Sequence, residues 1–173
     1  MSTMRERTFS WSDPREVARH VMTRPHLEWM NAMVAGEIPP PPFAEALDLR
    51  FDHAELGRVI FSAYTHEWIS NPVGTIHGGF IATVLDSVLT LAVQTNLPDD
   101  RSATTVDLHV QYVRPLFVGS GRIVAEGLAL HVGSTLATAE GRLTDERGKL
   151  IAHATGTFAI IAPQGSRPVP ADS

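Results

Sequence analysis

The sequence predicts an α+β fold in which a curved antiparallel sheet wraps one central helix. Three observations carry that expectation. Residues 77–95 hold the strongest helical pattern in the chain, with Ile81, Val84, Leu85, Val88, Leu89 and Ala92 recurring on one face. One strand candidate precedes this stretch, at 57–64, and four follow it, at 104–113, 122–132, 135–144 and 149–161. Gly119-Ser120-Gly121, Gly133-Ser134 and Asp145-Glu146-Arg147-Gly148 separate those strands as turns. A lone apolar helix cannot cover its own surface, and a sheet curved around it buries it on most sides.

Composition bounds the function classes. A chain of 173 residues with 43% hydrophobic and 19% charged residues fits one domain with a real core. The formal net charge of -5 argues against a nucleic-acid partner for the whole domain. It leaves room for an anionic ligand held by a local arginine cluster. The absence of cysteine removes disulfides, thiolate metal sites and cysteine nucleophiles, which fits a cytoplasmic protein. No apolar run follows the first seven residues, so no signal peptide is expected. The stretch 69–97 is interrupted by Asn71, Pro72, glycines and Asp86 and is too polar for a membrane span.

Residues 1–10 read as a loose terminus. Ser12-Asp13-Pro14 reads as a helix start, with a capping side chain ahead of a first-turn proline, and Val17, Ala18, Val21 and Met22 follow at helical spacing. Pro25 starts a second helix with Leu27, Met30, Met33 and Val34 on one side and Gly36 as its stop. The run Ile38-Pro39-Pro40-Pro41-Pro42 is a stiff extended connector. This divides the chain into an N-terminal helical extension at 1–42, a main domain at 43–161 and a tail at 162–173. In the strand 104–113, Val106, Leu108, Val110 and Tyr112 are expected on one face and Thr105, Asp107, His109 and Gln111 on the other.

Two features of the long helix carry chemistry. Asp86 lies in its apolar middle, where a carboxylate loses hydration and needs partners; Thr83 and Thr90 share its face. Such a group is either a structural hydrogen-bonding element or a general base or nucleophile. His77-Gly78-Gly79 opens the helix. The first amides of a helix lack internal partners and sit at the positive end of its dipole, so they can polarise a carbonyl oxygen. The alternative is a tight turn into the helix. Gly78 and Asp86 are eight residues apart, hence about 12 Å along the axis. If both act on one carbonyl, they come from two subunits of an antiparallel dimer with two identical sites.

The stretch 71–79 (Asn-Pro-Val-Gly-Thr-Ile-His-Gly-Gly), then Asp86, Thr104-Thr105-Val106-Asp107 and Tyr112-Val113-Arg114-Pro115, resembles hot-dog fold acyl-CoA thioesterases of the phenylacetate-degradation type. These are related to 4-hydroxybenzoyl-CoA thioesterase and the human thioesterase-superfamily proteins. The resemblance runs from about residue 41 to 161 and does not cover residues 1–40. It implies a hot-dog fold assembled as a homodimer, often paired into a homotetramer. It implies hydrolysis of an acyl-CoA substrate without a cofactor, coenzyme A entering only as part of the substrate. The Gly78 amide would polarise the thioester carbonyl, with Gly79 beside it. Asp86 of the opposing subunit would attack it or activate water, and Asn71 would orient that water or the substrate. Relatives carry a helper hydroxyl either one turn after the acid, Thr90 here, or on the next strand, Thr105 here; Thr90 is the favoured direct partner of Asp86.

His77 is expected to support the loop rather than move protons. The remaining histidines show no metal-ligand spacing, and no metal is expected. Arg114, Ser134 and Thr135 are candidates for binding the nucleotide end of coenzyme A, against a plain surface or turn role. Two other readings stand beside hydrolysis: an acyl thioester hydratase or dehydratase using His77 and Asp86, and a non-catalytic acyl-CoA binding module. The extension is expected to pack on the dimer or cover the substrate channel.

Overall fold

The long helix forms where its periodicity places it, as α4 (Gly78–Gln94), in a computed structural model that describes residues 3–162. The expected tail lies outside those residues, apart from Ala162. Before α4 come α1 (Pro14–Thr23), α2 (His26–Val34), α3 (Pro42–Leu47), β1 (Arg50–Glu55) and β2 (Arg58–Tyr64). After it come β3 (Ser102–Tyr112), β4 (Arg122–Val132), β5 (Leu136–Asp145) and β6 (Leu150–Ile161). The six strands form one antiparallel sheet in the order β1-β2-β4-β5-β6-β3. It curves around α4, whose Val84, Leu85, Val88, Leu89, Ala92 and Val93 are fully buried. This is the hot-dog fold.

Two facing glycines let the helix lie that close. Gly127 on β4 pairs with Gly141 on β5. A Cβ on Gly127 would stand 2.4 Å from the Val88 carbonyl oxygen, and one on Gly141 would stand 2.4 Å from Leu89 Cδ1. The sheet therefore meets the helix backbone directly at its middle.

The helix starts are as expected. Asp13 caps α1 by accepting from the Arg15 N–H, and Gly36, at φ 74°, ends the second helical stretch. Three expectations need correction. The strand count is six rather than five, because the connector leads into an unexpected short helix, α3 from Pro42, and then into β1. The inward side of α2 is set by His26, Trp29, Met30, Ala32 and Met33, while Leu27 and Val34 are only half-buried. The N-terminal segment lacks regular structure but is tied down: the Arg7 guanidinium lies 3.9 Å over the Trp68 ring, and Arg5 pairs with Glu67.

The fourth correction concerns β3. Its pairing with β6 slips at Val106, between Thr105↔Phe158 and Asp107↔Thr157. Thr105 therefore shares the inward face with Leu108, Val110 and Tyr112, while Val106 is 63% exposed. A bulge inserts one residue and re-aims the side chains on one side of it. The expected grouping of Val106 with Leu108 and of Thr105 with Asp107 fails for that reason. Strand β3 is also an edge of the sheet, and it and the following loop expose Val106, Tyr112, Val113, Phe117 and Val118.

Candidate active site

The N-terminal end of α4 is built from a loop. Asn71 closes a tight turn: its N–H donates to Thr75 O (2.7 Å), and its side-chain amide donates to Thr75 Oγ1 (3.1 Å). His77 is the N-cap of α4, and its Nδ1 accepts from the Gly79 N–H at 2.9 Å. With Nδ1 accepting, the proton of a neutral ring sits on Nε2. A Cβ on Gly79 would come 2.9 Å from that Nδ1, so glycine keeps the capping ring in place.

The amides around Gly78 are satisfied within the chain. Ile76 N–H donates to Leu116 O, His77 N–H to Ile69 O, Gly79 N–H to His77 Nδ1 and Phe80 N–H to His77 O. The Gly78 N–H donates to none of the described residues. It is a first-turn amide at the positive end of a 17-residue helix. Tyr112, which was not among the expected site residues, donates from its hydroxyl to the Gly78 carbonyl at 2.9 Å. The Tyr112 ring lies where a Cβ on Gly78 would meet it at 3.3 Å. The signal for it in the sequence was an aromatic residue ending an alternating strand. Gly78, Tyr112 and Arg114 line one cleft of about 310 Å³. The Arg114 Nη1 donates to Leu150 O at 2.6 Å, which holds the guanidinium at its edge.

Asp86 sits two turns further along, half-buried on α4. Its Oδ1 accepts from Thr105 Oγ1 at 2.8 Å. The Thr90 hydroxyl lies 3.3 Å from that of Thr105. The direct partner of Asp86 in this chain is therefore Thr105, and Thr90 reaches it through Thr105. The bulge at Val106 produces this arrangement. Thr83, expected on the same helix face, turns its hydroxyl back to the Gly79 carbonyl at 2.9 Å.

The structure thus brings the expected residues together as two groups, not one. Asn71, His77, Gly78, Gly79 and Arg114 gather at the start of α4. Asp86, Thr90 and Thr105 gather at its middle. Ser134 and Thr135, in the β4–β5 turn, fall toward the second group: Leu136 pairs with Ala159 on β6, next to the Phe158 that pairs with Thr105. Arg114 follows Tyr112, which pairs with Ala152 near the other end of β6.

Beside Asp86 opens an apolar cavity of about 280 Å³. Val17 and Val21 from α1 and Trp29 and Met33 from α2 form one wall, with Asp86 and Thr90 at the helix side. Spacing along the chain offers no means of assigning these wall residues, because they come from elements far apart in it. Among the described residues, no group of three His, Asp or Glu side chains is placed to hold a metal ion. No helix among them is long and apolar enough to cross a membrane.

A helix wrapped by a six-stranded antiparallel sheet is the hot-dog fold, and here that helix carries an open first-turn amide at its start and a carboxylate at its middle. Residues 73–152 match the model of the Thioesterase superfamily. Human acyl-coenzyme A thioesterase 13 is 36% identical over 104 residues, spanning 58% of this chain and 71% of that protein. The 1,4-dihydroxy-2-naphthoyl-CoA hydrolase of Escherichia coli is 25% identical over 135 residues, spanning 78% of this chain and 94% of that one. Among solved structures, a point mutant of the phenylacetic acid degradation protein PaaI of Thermus thermophilus superposes with a TM-score of 0.62 at 32% identity. The match covers 68% of this chain and 97% of that one. The chain belongs to the thioesterase superfamily, and it is a thioester hydrolase.

Proposed function

We propose that the chain hydrolyses acyl-CoA esters to a free acid and coenzyme A, at two identical sites shared across an antiparallel homodimer. The observation that carries the reading is the division of the reactive groups along α4. The free Gly78 amide and the Thr105-held Asp86 carboxylate are eight residues apart, about 12 Å along the helix, too far to meet at one carbonyl. Two antiparallel helices bring the start of one against the middle of the other. The exposed apolar residues of the β3 edge supply a surface for such pairing, since an unpaired strand edge is a template for another chain.

In this reading the Gly78 N–H donates to the thioester carbonyl oxygen. Asp86 of the partner subunit takes a proton from water as the water oxygen bonds to the carbonyl carbon. The negative charge that develops on the carbonyl oxygen is met by the amide and the dipole of α4. The tetrahedral adduct collapses, the C–S bond breaks, and the coenzyme A sulfur leaves with the electron pair and regains a proton. Direct attack by the carboxylate, through an anhydride that water then opens, gives the same products. Thr105 orients Asp86, Tyr112 holds the Gly78 peptide, and Asn71 orients the water or substrate. Arg114 at one mouth, and Ser134 and Thr135 of the other subunit, meet the nucleotide end of coenzyme A. The family resemblance extends the assembly to paired dimers.

Thiol release from a panel of acyl-CoA esters tests this. Asp86→Asn should lower kcat by about 10²–10⁴-fold with the fold intact. Wild-type turnover by that variant on every cleaved ester would remove Asp86 from the reaction. Hydration of crotonyl-CoA without thiol release would transfer the site to hydratase chemistry.

A further inference from the structure

We infer that the N-terminal extension sets acyl selectivity, and that α1 and α2 wall a pocket for uncharged acyl groups on the order of ten carbons, open-chain or two-ring. This rests on the acyl-thioester reading above.

The size follows from the cavity beside Asp86. Its volume of about 280 Å³ is nearly twice the ~150 Å³ cavity that takes up benzene. The chemistry follows from its lining. Apart from Asp86, Ser87 and Thr90 on α4, every lining side chain is apolar. Phe43, Phe51 and Phe61 join Trp29 there, and the Phe51 and Phe61 rings stand 4.1 Å apart at their centroids. Such walls favour flat or flexible apolar groups by area burial. A terminal carboxylate on the acyl group would lose hydration without a cation to meet it, beside the like charge of Asp86.

The wall is held in place rather than draped over the site. His26, buried at the start of α2, places Nε2 3.0 Å from Arg101 O and 3.2 Å from Pro98 O, and its backbone N–H donates to Asp99 Oδ1 at 3.1 Å. The amide nitrogen of buried Gln94, at the end of α4, approaches both ring nitrogens, at 2.8 and 3.1 Å. With the Nε2 proton given to the carbonyls, only Nδ1 is left to accept from Gln94. The Gln94 Oε1 in turn accepts from the Ala103 N–H at 2.9 Å. These bonds lock α2, with Trp29 and Met33, to the far end of the catalytic helix, and the pocket keeps a fixed depth.

The test measures kcat/KM by thiol release for straight-chain acyl-CoA esters from four to sixteen carbons, a naphthoyl ester and a terminal-carboxylate ester. Calorimetric titration with the free acids runs in parallel. In the wild type, rates should peak near ten carbons, accept the naphthoyl ester and drop at least tenfold for sixteen carbons and for the carboxylate ester. Val21→Trp should move the optimum to shorter chains, and Met33→Ala to longer ones, each changing the ratio of long to short substrates at least tenfold. Circular dichroism checks that each variant is folded; if Val21→Trp does not fold, Met33→Ala decides. A wild-type optimum at sixteen carbons, or an unchanged profile in the folded variants, overturns the inference. If no ester releases thiol while decanoate binds and Met33→Ala shifts the preferred acid, the hydrolysis reading fails and the pocket stands. If no acid binds and no chain-length preference appears, the pocket assignment fails.

Discussion

Thr90 and Thr105 both carry a hydroxyl near Asp86, but they stand in different relations to it. Thr105 donates directly to the carboxylate, while Thr90 lies 3.3 Å from the Thr105 oxygen. A hydrogen bond to a charged group contributes about 1.5–3 kcal/mol. Because Thr105 fixes the orientation of the Asp86 carboxylate, Thr105→Val should lower kcat by ~10–100-fold through lost positioning, and Thr90→Val by ~3-fold or less. Steady-state thiol release on both variants checks the order, and equal losses would contradict it. The sequence showed both hydroxyls but ranked them in reverse. Helical spacing put Thr90 beside Asp86, whereas the position of Thr105 depends on a bulge that no alternation pattern announces. His77 was easier to read: a ring that caps its own helix acts through the local geometry that follows from its place ahead of two glycines.

At the scale of elements, the contact between helix and sheet depends on the glycine pair. Gly127→Ala puts a methyl group 2.4 Å from the Val88 carbonyl oxygen, which only a backbone shift relieves. The expected loss is about 1–3 kcal/mol or more, read from the midpoint of urea unfolding. The outer face of the sheet carries a different kind of bond. Burial pushes the Glu126 carboxyl up, but hydrogen bonds from Arg58 and Arg142 outweigh it and hold the group below its ordinary value. A depressed carboxylate adds stability above its unfolded value of about pH 4.3, and the gain is lost as pH falls through the folded value. Glu126→Gln should therefore lower stability near neutrality and flatten the acid side of the stability-against-pH curve; a parallel curve would show that Glu126 is not responsible. The elements with a clean period, α4 and the strands β2, β4, β5 and β6, were legible in the sequence. Strand β1 was not, because its pairing slips between Phe51 and His53 and breaks the alternation. Helix α3 was hidden because six residues entered through a proline run give too few turns to show a period.

At the scale of the whole molecule, the proposed division of each site between two subunits makes a prediction about mixtures. Gly78 occupies the first position of α4, where proline is tolerated, and His77 ahead of it is already extended, at φ -64° and ψ 133°. Gly78→Pro thus removes the free N–H with a backbone that suits the helix start, once the Tyr112 ring, 3.3 Å from the new Cβ, gives by a few tenths of an ångström, and should cost about 10²–10³-fold in kcat. Asp86→Asn damages the opposite half. When the two inactive variants are refolded together in equal amounts, half of the dimers should be mixed, each with one intact site, returning about a quarter of wild-type activity. No recovery in mixed dimers, isolated with two different affinity tags, would place both groups in a site within one chain.

The cavity also separates two tasks along the chain. Of the groups assigned to the reaction, Gly78, Asp86, Thr105 and Tyr112 lie within the 73–152 stretch that matches the superfamily and Asn71 just ahead of it, while the cavity wall from Val17 to Phe61 lies before that stretch and only the α4 side of the cavity falls inside it. On the proposed reading, chemistry and most of the taste are written in different passages of one text. The first can be kept unchanged while the second is rewritten, so a related chain with another opening passage would perform the same reaction on a different diet.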